Sequence, residues 1–167
     1  MVTVRSYREG DARVVGMLIA DTYGRYNLHE LDEGERANHL GPFAHARSPS
    51  REHHETIARM IRAELVLVAE EEGEVVGVLR GRVGKLQSLF VRGDCHRQGI
   101  GRALVERFER ACIEQGAASI RVAATVQAVP FYRRLGYVRS TGRRPLTSFE
   151  GQGQLFYQPM KKILRGD

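Results

Sequence analysis

The sequence contains no tryptophan, and aromatic residues make up only 7% of it. Basic residues outnumber acidic ones, 26 against 20, which gives a formal net charge of +6. Basic nucleic-acid-binding domains usually concentrate such charge on one face and interleave aromatic side chains for base stacking. Because Lys and Arg are scattered through the whole chain with few aromatic neighbours, the sequence argues against a nucleic-acid partner. The same charge suits a small polyphosphate ligand equally well.

Cysteine is also scarce, since only Cys95 and Cys112 occur and they form no CxxC pair. Two thiols at this spacing predict free cysteines and no structural disulfide. The first residues, Met1 to Arg13, carry several charges and no apolar run of the signal-peptide kind. We therefore expect a cytoplasmic protein without a membrane segment.

The overall composition is that of one globular domain. The chain has 167 residues, of which 42% are hydrophobic and 28% charged. This length is sufficient to bury a core without metals or disulfides. No internal repeat, low-complexity tract or domain boundary is apparent, so residues 1–167 are predicted to form a single domain.

Hydrophobic periodicity predicts a mixed succession of strands and helices. Asp11 stands at the N-cap position of the first helix, and Gly116 stands at the C-cap position of the long helix 99–115. Further helices are expected at about 50–62 and 128–135. The expected strands are residues 2–7, 65–69, 75–83, 86–91, 120–124, 137–139 and 155–160. The stretch 28–49 shows no clear pattern.

A glycine-rich turn leads from a strand into the long helix, over Phe90 to Arg102. The first amides of a helix lack internal partners and carry the positive end of the helix dipole, so a phosphate group can bind there. Arg97 and Arg102 flank the turn and can add charge. The alternative is that Gly99 and its neighbours serve only close packing.

Two common phosphate motifs do not fit this turn. Leu104 stands where a dinucleotide-binding fingerprint requires its third glycine, and no Gly-Lys-Ser/Thr triplet follows. The turn is therefore neither a Rossmann fingerprint nor a P-loop.

A second segment, Thr125 to Tyr137, follows a strand, forms a short helix and turns back at Gly136. Taken alone, Phe131 and Leu135 in it are core residues. Together with the glycine turn, in this order and at this separation, it resembles the GNAT superfamily of N-acetyltransferases.

The resemblance covers roughly Leu65 to Tyr137. The family's first motif is Gln/Arg-x-x-Gly-x-Gly/Ala, and its second is Asn-x-x-Ala-x-x-Phe-Tyr-x-x-x-Gly-Phe. This chain departs from them in three places, with His96 at the Gln/Arg position, Thr125 at the Asn position and Tyr137 in place of Phe. The departure at His96 leaves open which side chain supports the loop.

The resemblance implies an α/β (α+β) fold, with a mixed, mostly antiparallel twisted sheet of six or seven strands and about four flanking helices. It also implies splayed central strands and acetyl-coenzyme A as cosubstrate. The coenzyme's diphosphate and pantetheine arm would lie on the glycine turn and the strand before it. The implied coenzyme-binding residues are Leu89, Phe90, Val91, Arg97, Gln98, Gly99, Ile100, Gly101, Arg102, Thr125 and Arg133.

The implied reaction is transfer of an acetyl group to a primary amine of a small molecule or peptide by direct attack. Such a reaction needs an acid for the departing thiolate, and Tyr132 matches that position. A phenol with an ordinary pKa of about 10 is protonated at neutral pH and can serve a thiol of pKa about 8.5. The alternative is that Tyr132 only packs, and Arg133 is equally compatible with a solvated helix position.

The general base stays unassigned in the sequence. Gln87 occupies a strand position that some relatives fill with an acid, so deprotonation through water or through a distant group is open. Glu30, Glu33 and Glu150 are candidates without ranking.

No metal is expected, although histidines recur in one region. His53 and His54 are adjacent and point apart on a helix, no His-x-x-x-His pair occurs, and no Asp or Glu is placed with them as a ligand. A solvated or acceptor-lining role suits them better.

Two further hypotheses stay open beside catalysis. The same fold could bind acetyl-coenzyme A as a sensor or partner module without turnover, and the closing strand could pair between subunits in a homodimer. The identity of the acceptor amine and the length of the acyl group are not encoded in any motif. The stretches 28–49 and 141–153 correspond to the family's acceptor region, and their mixed charges favour neither sign of substrate.

Overall fold

The computed structural model describes residues 1–28, 31–148 and 151–165 of the chain. Its strands are β1 (Val2–Ser6), β2 (Leu65–Glu71), β3 (Glu74–Arg82), β4 (Lys85–Val91), β5 (Ser119–Thr125), β6 (Val138–Arg139), β7 (Arg144–Ser148) and β8 (Gly151–Ile163). Its α-helices are α1 (Ala12–Thr22), α2 (Glu33–Leu40), α3 (Arg51–Ile61), α4 (Ile100–Glu114) and α5 (Val129–Arg134). Short 3-10 turns and one π-helical segment, Tyr23–Asn27, connect them.

The strands form one open, mostly antiparallel sheet in the order β1-β2-β3-β4-β5-β8-β6, with β7 paired to β8. The predicted fold class is confirmed. Every predicted strand and helix corresponds to one of these elements. The sequence patterns predict neither α2 nor β7, so the described residues hold eight strands instead of six or seven and five helices instead of about four.

The central strands β4 and β5 pair only at one end. They run parallel, and their pairing is limited to Lys85 with Arg121 and Leu86 with Val122. From there β4 continues to Val91 with β3 on one side, and no strand of the described residues pairs with its other side. The predicted splay is therefore present as an open gap in the middle of the sheet.

Helix α4 packs on one face of the sheet because two glycines of β3 let it approach. A Cβ added at Gly77 would meet the Leu104 side chain at 3.0 Å, and one at Gly81 would meet the Phe108 ring at 2.9 Å. Leu104 and Phe108 are fully buried in this layer. Helices α1 and α3 cover the other face and bury a second cluster with residues of β2 and β3.

Several positions at turns and helix ends have special backbone or capping geometry. Glu72 and Gly73 both have positive φ in the β2–β3 turn, and Gly116 ends α4 with φ +84° as predicted. Asp11 precedes α1, but its carboxylate does not cap that helix. It accepts a hydrogen bond from the Arg8 amide at 2.8 Å and pairs with Arg5 instead. Asp11 therefore occupies the predicted N-cap position, while a turn amide and a neighbouring cation take its carboxylate.

Within the described ranges, no helix combines the length and apolar character needed to span a bilayer.

Candidate functional site

The glycine turn joins the open end of β4 to the first turn of α4. A short 3-10 turn, Gly93–Cys95, follows β4. Arg97 and Gly99 then adopt left-handed φ values of +63° and +80°, and α4 begins at Ile100. Two left-handed residues so close together turn successive amides toward one side, as in anion-binding nests.

Six consecutive amides in this turn have no acceptor among the described residues. The first hydrogen bond of α4 runs from the Ala103 amide to the Gly99 carbonyl at 3.0 Å. In the described part of the chain, nothing accepts from the amides that precede it, which are those of Arg97, Gln98, Gly99, Ile100, Gly101 and Arg102. These donors, at the positive end of a 15-residue helix, are available to an anionic ligand.

Side chains of the turn bind its own backbone. Nε2 of His96 hydrogen-bonds the Val91 carbonyl oxygen at 2.7 Å. A carbonyl can only accept, so this ring nitrogen carries the proton. Gln98 Nε2 donates to the Asp94 carbonyl at 3.3 Å. His96 thus holds the end of β4 against the turn. The question of which side chain supports the loop, left open because His96 departs from the family motif, is answered by His96 itself.

Gly99 and Gly101 face different surroundings. No atom of the described ranges lies within 4 Å of a Cβ built at Gly99, whereas one built at Gly101 would lie 3.2 Å from the Phe131 ring and 3.7 Å from the Val91 side chain. The structure therefore brings the end of β4, the glycine turn and the second segment together at Gly101. At that position the packing interpretation of the glycines holds, and at Gly99 it does not.

The unpaired edge of β4 presents alternate backbone groups to the gap. The Arg92 amide donates to Val76 of β3 at 2.8 Å. Backbone groups alternate direction along an antiparallel strand, so Phe90 also faces β3, while Leu89 and Val91 point away from it. Of the three strand residues predicted to bind coenzyme, only Leu89 and Val91 therefore have backbone groups directed into the gap.

Phe90 contributes a ring instead of backbone. Its ring meets that of Tyr23, at the end of α1, edge to face with centroids 5.7 Å apart. Burial raises the pKa of the Tyr23 phenol. This contact places the end of α1 beside the gap. No motif in the sequence indicates that Tyr23 lies here.

Tyr132 is buried in α5, with 4% of its surface exposed. Its ring packs edge to face on Phe131 at 5.0 Å and on Tyr137 at 5.5 Å. Its hydroxyl makes no hydrogen bond within the described residues, and burial raises its pKa. The phenol is therefore protonated at neutral pH and has its donor uncommitted.

Tyr137 belongs to a buried polar group that the sequence analysis did not foresee. Its hydroxyl donates to Glu109 of α4 at 3.4 Å, and Lys162 of β8 pairs with the same carboxylate at 2.9 and 3.0 Å. Burial, followed by the Glu109 charge, raises the pKa of Tyr137. The group ties α4 to β8 behind Tyr132. No sequence motif joins residues so far apart, so only the fold reveals it.

The predicted charged residues lie on the surface. Arg97 and Arg133 are exposed. Arg102 pairs with Glu106 at 2.8 Å, with 64% of its side chain exposed. Such an exposed pair is worth at most about 1 kcal/mol, so an incoming phosphate can compete for the guanidinium. Thr125 is half-buried at the end of β5, opposite Tyr157 of β8.

Cys95 and Cys112 are free and buried. Burial raises the pKa of both thiols, and the Asp94 carboxylate adds to the effect at Cys95. A thiol with a raised pKa is a poor source of thiolate at neutral pH.

The candidate bases and the histidines do not assemble into a second centre. Gln87 and Glu33 are exposed, whereas Glu30, Glu150 and His29 lie outside the described residues. In the ranges that are described, no three metal-ligating side chains form a group.

The histidines instead make contacts with a loop and with each other. The rings of His45 and His53 stack at 4.1 Å, His53 contacts the Ser48 hydroxyl at 2.7 Å, and His54 hydrogen-bonds the Ser48 carbonyl at 2.5 Å. A cavity of about 560 Å³ beside them is lined by residues of α2, α3 and the turn between them, and by none of β4, α4 or α5.

Comparison with known proteins supports the assignment that the motifs indicate. A family model described as an acetyltransferase (GNAT) domain matches residues 35–164, which include the gap, the glycine turn and α5. The chain belongs to the GNAT acetyltransferase family. A provisionally named acetyltransferase of Bacillus subtilis (strain 168) is 31% identical over 75 residues, covering 42% of this chain and 51% of that protein. The chain thus spans about half the length of that relative.

Solved structures share the whole GNAT fold. A GCN5-related N-acetyltransferase of Rhodopseudomonas palustris has a TM-score of 0.80 at 21% identity, covering 97% of this chain and 95% of that chain. The PaiA N-acetyltransferase of Thermoplasma acidophilum, solved with coenzyme A, has a TM-score of 0.71 at 14% identity over 98% and 99% of the chains. YncA of Salmonella typhimurium, solved with acetyl-CoA, has a TM-score of 0.64 at 18% identity over 100% and 96%.

Proposed function

We propose that this protein is an N-acetyltransferase that moves the acetyl group of acetyl-coenzyme A to a primary amine of a small molecule or peptide. The observation that carries the proposal is the run of six unpartnered amides at residues 97–102, beside the open edge of β4. Membership of the GNAT family and structural neighbours solved with coenzyme A or acetyl-CoA support it.

In the proposed complex the diphosphate of the coenzyme occupies the turn. The amides of Gly99 and its neighbours donate to it, and Arg97, Arg102 and Arg133 contribute positive charge. A few charge-assisted hydrogen bonds at roughly 1.5–3 kcal/mol each supply much of the about 8 kcal/mol that micromolar affinity requires. The helix dipole alone contributes about 0.3–1 kcal/mol, which is too little for that affinity.

The pantetheine arm is proposed to lie along the unpaired edge of β4. Its amides and hydroxyl can exchange hydrogen bonds with the backbone of Leu89 and Val91, whose groups point into the gap. Phe90 would then shape the gap through its ring, and Thr125 would bound it from the end of β5.

The chemical step proceeds by direct attack. The neutral amine forms a bond to the thioester carbonyl carbon, and the C–S bond breaks. The departing thiolate takes a proton from the Tyr132 hydroxyl. The amine loses a proton to solvent, and the Tyr132 phenolate regains one from solvent. Burial destabilises the Tyr132 phenolate, and it would also destabilise a thiolate formed in the same surroundings. Both pKa values therefore rise together, and the difference between them, which decides the proton transfer, is preserved. The raised pKa values of both cysteines support direct attack over an acyl-enzyme.

The first experiment follows release of free coenzyme A thiol from acetyl-CoA across a panel of polyamines, aminoglycosides, amino acids and peptide N-termini. We expect turnover with at least one amine class. Binding of acetyl-CoA without turnover on any amine would favour the non-catalytic sensor instead. If calorimetry detected no binding of acetyl-CoA at all, the enzymatic proposal would be abandoned.

Replacing Tyr132→Phe tests the acid. General acid catalysis contributes about 10²–10⁴-fold, so we expect kcat to fall by at least about 100-fold while the affinity for acetyl-CoA is retained. Tyr137→Phe is the matched control, because it removes a buried hydroxyl 3.4 Å from Glu109 and leaves the ring contact with Tyr132 in place. Equal turnover of the Tyr132→Phe variant and the wild type would refute the assignment.

A further inference from the structure

Four basic side chains form an unbroken row across four strands of the sheet. Direct strand partners are Arg82 and Lys85 between β3 and β4, Lys85 and Arg121 between β4 and β5, and Arg121 and Lys161 between β5 and β8. Direct partners project from the same face of a sheet, with Cβ atoms about 5 Å apart. The row, which we call the basic row, therefore extends over about 14 Å.

The basic row lies on a part of the sheet that none of the described helices covers. The next residues along the strands, Leu86, Val122 and Met160, are buried under α4, so alternation directs the row to the opposite face. On that face the cluster under α1 and α3 draws on β2, β3 and Phe90 of β4, and on no described residue of β5 or β8. Arg82, Lys85 and Arg121 are exposed, and Lys161 is half-buried.

The four charges find no opposite charge in the part of the chain that the structure describes. Among the described residues, none of the four takes part in an ion pair or a side-chain hydrogen bond. Glu64, beside the Arg82 end, accepts from the Val83 amide at 3.2 Å. Like charges placed directly opposite each other destabilise a sheet, so folding alone gives no reason for this arrangement.

Two exposed aliphatic side chains adjoin the row at its Lys161 end. Val138 of β6 is the direct partner of Lys161, and Ile163 lies two residues further along β8 on the same face. They are 64% and 63% exposed. The row itself contains no aromatic residue on which a nucleobase could stack.

We propose that this surface docks an extended acidic segment of a protein that carries an apolar residue at one end. Its members are Arg82, Lys85, Arg121, Lys161, Val138 and Ile163. Charge complementarity selects the acidic segment, and the aliphatic pair favours a polypeptide over a nucleic-acid backbone. The site is separate from the glycine turn, because Lys85 and Val91 stand at opposite ends of β4, about 20 Å apart.

The test measures fluorescence anisotropy of a short labelled peptide in which glutamate alternates with serine and the last residue is leucine. The wild-type protein should bind it at low salt, and should bind the same peptide with glutamine in place of glutamate at least about tenfold more weakly. The double variant Arg121→Ala/Lys161→Ala should lose binding about tenfold. The charge-matched control, Arg59→Ala/Arg110→Ala, changes exposed arginines of α3 and α4 and should stay within about twofold.

Thermal melting separates lost binding from lost folding. Because the substitutions in the row relieve repulsion, the melting temperature of Arg121→Ala/Lys161→Ala should equal or exceed that of the wild type. Equal affinity of the wild type for the glutamate and glutamine peptides would overturn the proposal. Tighter binding of a DNA duplex through Arg121 and Lys161 would also overturn it, by making the surface a nucleic-acid site.

Discussion

Gly99 and Gly101 are two residues apart and are glycines for different reasons. Gly99 has φ +80° and open space beside it, whereas Gly101 has the Phe131 ring 3.2 Å from where a Cβ would stand. Gly99 permits the left-handed backbone and lets a ligand approach the amides, whereas Gly101 permits close packing of the Phe131 ring. The sequence offered both interpretations for the whole turn, and only coordinates could divide them between the two positions.

The substitution Gly99→Ala tests this division. A left-handed alanine costs about 1–2 kcal/mol, and its methyl group would obstruct the approach to the amides of residues 97–102. We expect a small loss in the free energy of unfolding and at least about a tenfold loss of acetyl-CoA affinity by calorimetry. Gly116→Ala is the control, because Gly116 has φ +84° and nothing within 4 Å at the other end of α4. Equal loss of coenzyme affinity in both variants would contradict the assigned role of Gly99.

At the scale of elements, hydrophobic periodicity and turn residues predicted all the helices and strands except α2 and β7. β2, β3 and α4 follow their hydrophobic patterns closely. Helix α2 was not predicted because it is polar almost throughout. It begins at an Asp32 cap, whose carboxylate accepts a hydrogen bond from the Glu35 amide at 2.8 Å. Strand β7 was not predicted because it has only five residues, one of which is Pro145. Short polar elements depend on tertiary contacts, which no local pattern records.

The sequence also could not predict which residues of different strands become neighbours. Lys85, Arg121 and Lys161 lie some forty residues apart along the chain, and it is the sheet register that makes them neighbours. The same applies to Glu109 and Lys162, which join α4 to β8. The family motifs could predict the glycine turn and Tyr132 because each is local in sequence.

One ion-pair cluster ties three elements together and predicts a pH dependence. Arg5 of β1 pairs with Asp11 before α1 and with Glu70 of β2, each at 2.8 Å. The Arg5 guanidinium, assisted by the Arg8 amide, lowers the pKa of Asp11. A lowered pKa in the folded state stabilises the protein above the ordinary value of about 4, and this contribution disappears as the pH falls through the folded value.

The variant Asp11→Asn should therefore be less stable than the wild type by about 2 kcal/mol at pH 7, measured by urea unfolding. The difference should shrink below about pH 4, because the wild-type carboxyl is then protonated as well. Asp21→Asn is the control, since Asp21 pairs with Arg47 on the surface with 57% of its side chain exposed. A destabilisation by Asp11→Asn that is unchanged at pH 3 would show that charge is not its cause.

At the scale of the whole molecule, one continuous sheet runs from β1 to β6, although its central pairing covers only two residue pairs. A ligand that binds both the glycine turn and the β4 edge would therefore stabilise the fold as a whole. The single-domain organisation, the homodimer and the acceptor amine stay predictions, because they depend on relations outside one chain or on side chains that no family motif specifies.

Acetyl-CoA at about 100 times its Kd should stabilise the protein by about 2.7 kcal/mol. For a chain of this size, that corresponds to a rise in melting temperature of roughly 5–10 °C by scanning fluorimetry. Pantetheine, which lacks the diphosphate, is the control ligand and should give a much smaller shift at the same concentration. If pantetheine matched acetyl-CoA, the amides of residues 97–102 would not be the main anchor.

The gap between β4 and β5 has a consequence for how the protein avoids unwanted association. An unpaired strand edge normally invites a strand from another chain to add to it, which is the first step of many aggregation processes. Here the edge is internal, since Leu89 and Val91 pack toward α4 on one face and Phe90 packs on Tyr23 on the other. An incoming polypeptide carries side chains on both faces and would have to displace both layers. The packing thus keeps foreign strands out while leaving room for a slender chain that has no side chains.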